Sequence, residues 1–217
     1  MPRDRDHRRK QQYTRLNIAA AAARIMAEDG IEDYSLAKRK AARQLGGLAA
    51  HMLPDNAEIE AALRAYQSLY QGDEQRERIA YLRSCAIAAM QSLAEFQPYL
   101  CGSVLSGTAG RYSDIDLQLF TDDSKSVELY LLNRNIQYEA GAVRYFVGDR
   151  EGSAALLTLD WQGVVLKLIV YPTNEERVTL KSGIAGRPIA RAGIAAVRQL
   201  LNEGGQSGAD VHAALSK

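Results

Sequence analysis

Apolar and polar positions alternate with two different periods along this chain, and the period changes near residue 97. Leu16, Ile18, Ala19, Ala22, Ala23, Ile25 and Met26 recur at helical spacing, which predicts a helix capped by Thr14 and stopped at Gly30. A second, basic helix follows Ser35 and runs through Leu36, Ala37 and Lys38 to Leu45, before Gly46-Gly47. Pro54 places the start of a third helix near Asp55. That helix carries Ile59, Leu63, Tyr66, Leu69 and Tyr70 on one stripe, and a fourth over about 74–96 carries Ile79, Leu82, Ala86, Ile87, Met90, Leu93 and Phe96.

Beyond Pro98 the period drops to two. Tyr99-Leu100-Cys101 reads as a short strand ending at Gly102-Ser103. In the run 114–120, Asp114, Asp116 and Gln118 share one face and Ile115, Leu117 and Leu119 the other. Asp122 or Asp123 can cap a helix through Val127, Leu129, Leu131 and Leu132. Strands are expected at about 136–147, 154–160 and 163–171, the last two joined by the turn Asp160-Trp161-Gln162-Gly163. One more helix is expected from Ile194 to Leu201. The fold class that follows is α+β, an N-terminal helical segment packed on a small mixed sheet. Its expected divisions are a disordered arm at 1–13, a helical domain at 14–97, a sheet core at 98–175, and a loop with a C-terminal helix at 176–217.

Composition changes this picture in one respect. The 217 residues carry a formal charge of only +1, but residues 1–50 hold 11 Lys/Arg against 6 Asp/Glu, so the remainder is net acidic. Positive charge thus collects in the helical front. Lys38, Arg39, Lys40 and Arg43 are the candidates there for contact with RNA or DNA. Cys85 and Cys101 have neither metal-site nor disulfide-framework spacing, and no apolar run has the length of a membrane span. A soluble, cytoplasmic protein with reduced thiols and no membrane partner is the expectation.

Chemistry concentrates in residues 101–120. Gly102 permits close approach of backbone to a ligand, and Ser103, Ser106, Gly107 and neighbouring N–H groups can receive phosphate. Asp114 and Asp116, at i and i+2, project from one face and can share a divalent cation. A phosphate-binding loop beside paired carboxylates suits phosphoryl transfer.

This segment resembles the DNA polymerase beta-like nucleotidyltransferase superfamily, in which Gly-Ser is followed, about ten residues on, by Asp, an apolar residue and Asp. Gly102, Ser103, Asp114, Ile115 and Asp116 satisfy the pattern, and Gly107, Thr108 and Ser113 match small bacterial members. The resemblance implies transfer of a nucleoside monophosphate from a nucleoside triphosphate to a hydroxyl or phosphate acceptor, with one or two Mg²⁺ ions. Two positions depart from it: Ser106 stands where many members carry a basic residue, and Lys167 falls where the third metal-binding carboxylate is expected. Asp160 is the alternative third ligand, and Lys167 would act in the site as a cation. A fold of this type that binds nucleotide or nucleic acid without turnover is a second expectation.

Residues 16–46 also resemble the first two helices of a helix-turn-helix domain of the tetracycline-repressor type. Residues 47–54, where a base-reading helix should follow, are apolar and end in Pro54.

Overall fold

The computed structural model describes residues 3–31, 33–46, 53–70, 72–182 and 188–203. Its contacts divide the chain into two compact units, residues 1–75 with 110–112, and residues 76–109 with 113–217.

The first unit is helical. Helix α1 spans Arg3–Asp29, α2 Tyr34–Gln44 and α3 Asn56–Tyr70. The first helix therefore begins at Arg3, within the stretch expected to be a disordered arm, and Thr14 lies inside it rather than at its cap. Asp33, not Ser35, caps α2, accepting hydrogen bonds from Ser35 N at 2.7 Å and Leu36 N at 3.3 Å. At α3 the Asp55 carboxylate accepts from Ala57 N and Glu58 N, while Glu58 Oε2 accepts from Asp55 N at 2.6 Å. Three N–H donors left open at the helix start are so satisfied, Asp55 and Glu58 capping each other reciprocally. Ile18, Ala19, Ala22 and Ile25 of α1 pack with Ala37 and Ala41 of α2 and Ile59 of α3. The small alanines let the three helices approach closely.

The second unit holds helix α4 over most of its length (Gly72–Ser92) and then β1 (Tyr99–Cys101), α5 (Gly102–Ser106), β2 (Ile115–Phe120), α6 (Ser124–Asn133), β3 (Tyr138–Val147), β4 (Arg150–Trp161), β5 (Val164–Tyr171), β6 (Leu180–Lys181) and β7 (Arg191–Ala192). Residues 194–203 are helical. The strands form one mixed seven-stranded sheet in the order β6-β3-β4-β5-β2-β1-β7, so the expected small sheet is larger than the sequence pattern suggested. Among the described residues only β2 and β5 run parallel, with Ile115 opposite Leu166 and Asp116 opposite Lys167. The β4–β5 connection is a two-residue hairpin in which Gln162 and Gly163 both have positive φ, 56° and 79°. That is the handedness a tight antiparallel turn needs.

One sheet face is continuously apolar. Ile115, Leu117 and Leu119, Leu166, Leu168 and Val170, and Leu157 and Leu159 pack with Leu82, Ala86 and Met90 of α4, with Leu93 just beyond its end, and with Val127 and Leu131 of α6. The other face is divided. Phe120, Tyr145, Ala154, Tyr171 and Leu180 close one end as a second, aromatic cluster. Gln118 lies beside it on the face it shares with Asp116, as the alternation predicts, but it is 1% exposed whereas Asp114 and Asp116 are partly exposed. Among the described residues its amide has no hydrogen-bond partner.

Candidate active site

The polar end of the divided face carries the carboxylates. In the sheet register Thr158 of β4, Lys167 of β5, Asp116 of β2, Cys101 of β1 and Arg191 of β7 stand in one row. Residues directly opposite in register leave the sheet on the same side. The row is thus a polar line across five strands, with Asp114 just ahead of β2.

Gly102 explains how Asp116 is accommodated. Its φ is +70°, a conformation that costs a residue with a side chain about 1–2 kcal/mol, and a Cβ placed there would overlap Asp116 Oδ2. The missing side chain leaves the volume that the carboxylate occupies. Sequence reading assigned this glycine to ligand approach; the structure adds that its first neighbour is the carboxylate itself.

Residues 102–106, expected as a loop, form the short helix α5, ended by Gly107 at φ +78°. Ser103 O accepts hydrogen bonds from Thr108 N at 3.0 Å, Ala109 N at 3.1 Å and Ser106 Oγ at 3.3 Å. Ser106 Oγ lies 2.8 Å from Thr108 Oγ1. Ser106 therefore shapes the turn. The segment is also held from outside: Arg83 of α4 donates through Nε to Val104 O at 3.2 Å and through Nη2 to Leu105 O at 3.3 Å. Its Nη1 reaches Leu200 O at 3.1 Å. Burial lowers the pKa of this guanidinium. Nothing in the local sequence around Arg83 marks this role, because its acceptors lie 21, 22 and 117 residues away.

Lys167 Nζ lies 2.6 Å from Asp114 Oδ2, with the two side chains 34% and 20% exposed. Lys167 thus belongs to the site, facing the same side as Asp116. Asp160 does not join the pair. It stands opposite Val165, two strand spacings or about 10 Å from β2, is exposed, and accepts from Gly163 N at 3.1 Å, which secures the hairpin turn. Among the described residues no group of three or more His, Cys, Asp or Glu could hold a metal ion. Asp114 and Asp116 nonetheless offer two hard oxygen donors on one side of the sheet, a set that suits one Mg²⁺ completed by phosphate and water.

Thr158, Cys101 and Arg191 were not anticipated as members of the row. Cys101 Sγ donates to Asp116 O at 3.5 Å, and burial first, then the Asp116 charge, pushes its thiol pKa well up. A buried thiol with a raised pKa is inert. Arg191 lies over the rings of Tyr99 and Phe120, with its guanidinium carbon 5.3 and 5.0 Å from their centroids, and donates to Glu176 O. It arrives on a two-residue strand that carries no periodic signal.

In the helical unit Arg39, Lys40 and Arg43 are exposed and Lys38 is half-buried. Lys40 pairs with Asp29 at 3.4 Å. The expected place of a base-reading helix, residues 47–54, lies largely outside the described residues, which resume at 53. Among the described residues no helix is long and apolar enough to cross a membrane.

A family model described as a nucleotidyltransferase domain matches residues 88–147. No curated protein matches the chain, and no solved structure does. The matched residues include β1, α5, β2 and α6 and hold Gly102, Ser103, Asp114 and Asp116, whereas Lys167 falls outside them. Residues 88–147 are therefore similar to a nucleotidyltransferase domain.

Proposed function

We propose that the chain moves a nucleoside monophosphate from a nucleoside triphosphate to a hydroxyl or phosphate acceptor, with Mg²⁺ held by Asp114 and Asp116. The observation that carries this reading is the packing of Gly102 on Asp116: the glycine that opens the phosphate-binding segment is also the residue whose missing side chain admits the carboxylate. In this reading Ser103 and the turn at Gly107 receive the triphosphate, and Arg83 fixes that turn from α4. Asp114 and Asp116 face the phosphates from the sheet. Lys167 adds positive charge where negative charge gathers on the phosphates. The bound ion would supply charge neutralisation for the departing pyrophosphate. The acceptor oxygen bonds the α-phosphorus, a hydroxyl acceptor giving up its proton to solvent, and the bridging P–O bond breaks with its electron pair leaving on pyrophosphate.

The Lys167–Asp114 pair favours a second reading, in which nucleotide is bound without turnover and the chain acts as a regulator. The two are separated by incubating the chain with each of the four ribonucleoside triphosphates and Mg²⁺. Melting temperature reports binding, and pyrophosphate release reports transfer. Release that is lost in Asp116→Ala, with the fold intact by circular dichroism, supports transfer. A melting shift with no release for any triphosphate supports the second reading, and no shift with any of them overturns both.

A further inference from the structure

Asp116 and Lys167 are immediate neighbours on the two parallel strands, and Lys167 reaches Asp114 Oδ2 at hydrogen-bond distance. The ammonium therefore takes one coordination direction of a carboxylate oxygen that a divalent cation would also use. Paired catalytic ions stand about 3.5–4 Å apart and need acidic ligands around both. Here two carboxylates are accompanied by a fixed positive charge, and among the described residues no third acidic group gathers with them. Asp160, the nearest acidic residue on β4, is taken by the turn at Gly163.

We propose that this centre is built for one divalent cation per chain, with Lys167 as the permanent second positive charge. The inference rests on the reading of Asp114 and Asp116 as the metal-holding pair. The pair and Lys167 together carry one net negative charge, so one ion with its bound phosphates is the complement the site accepts. A second ion would have to displace the ammonium from Asp114 and stand against its charge. Replacing Lys167 by a carboxylate removes that repulsion and supplies the missing ligand at the same register position.

The test counts Mn²⁺, used in place of Mg²⁺, on the full chain by the spectroscopic signal of the free ion. The count is made with and without a non-hydrolysable triphosphate analogue, whose own binding is followed separately by fluorescence. The expected result is one bound Mn²⁺ in the wild type and two in Lys167→Asp, with Lys167→Glu as the second variant should the first not fold. Zero or two ions in the wild type overturns the proposal, as does a count of one in the folded carboxylate variant. Failure of the transferase reading shows differently: the analogue does not bind, while the difference in count stands.

Discussion

The two faces of the sheet are made from the same strands yet obey different rules. Leu166 and Leu168 on β5, fully buried, belong to one apolar cluster with residues of α4 and α6. Between them Lys167 faces the other side, 34% exposed, and meets a carboxylate. The first face is continuous because two helices cover it; the second is an aromatic cluster at one end and a charged row at the other. The difference teaches where function can be placed on such a sheet. In the proposed reading, chemistry occupies the part of a face that the core does not need, and the neighbouring strands supply rigidity from behind.

The largest effect should come from the covered face. Leu168→Ala leaves a cavity in the main core and should cost about 2–5 kcal/mol, read as a lower denaturant midpoint at unchanged slope. A cost under about 1 kcal/mol would show that this face is not the close-packed one.

Gly102→Ala tests the seam between core and site. The positive φ costs about 1–2 kcal/mol, and the new methyl must push Asp116 aside. We expect that loss of stability together with a loss of triphosphate binding far larger than the strain alone would produce. Stability lost with binding unchanged would separate Gly102 from the site.

The helical unit has no such division of faces and serves as the control. Glu58 there closes the α3 start and pairs with Arg15, its Oε2 lying 2.5 Å from Nη2. The Arg15 hydrogen bond holds the Glu58 pKa below the ordinary carboxylate value. A carboxylate with a lowered folded pKa stabilises the fold above its unfolded pKa and ceases to do so as pH falls through the folded one. Glu58→Ala should therefore cost about 0.5–2 kcal/mol at neutral pH, and the gap to wild type should close in acid. A gap that persists unchanged at low pH would contradict this.

Much of this was legible in the sequence because it depends on local pattern. Ile115, Leu117 and Leu119 alternate with polar residues, Gln162-Gly163 marks a turn, and Gly102-Ser103 precedes Asp114 and Asp116 at a recognisable spacing. What escaped depends on register between distant strands. β6 and β7 have two residues each and exist only through pairing with β3 and β1. Gln118 shares a face with Asp116 in the alternating pattern, but Tyr99 stands directly opposite it on β1 and Tyr145 and Tyr171 close that end of the face, all far from it in the chain. The start of α1 at Arg3 is hidden for a different reason: a charged segment without apolar periodicity carries no packing signal for a helix. Lys167 was placed at the third-ligand position by its apolar context, but that its ammonium would meet Asp114 rather than solvent follows only from the offset of β5 against β2.

The smallest expected change is also the one that bears most closely on the two faces. Lys167→Met keeps the length and apolar stem of the side chain and removes its charge one residue from Leu168. Partly exposed ion pairs contribute about 0–1 kcal/mol, because desolvation and side-chain ordering offset most of the Coulomb attraction. The stem can still lie along the sheet as before. Stability should therefore change by less than about 1 kcal/mol, within a core that loses several when Leu168 is shortened. Triphosphate affinity should fall while the melting temperature in its absence holds, since the lost ammonium is a partner for phosphate more than for the fold. If Lys167→Met unfolds the chain as readily as Leu168→Ala, the pair with Asp114 is part of the core and the division between the two faces is not the one that places the site.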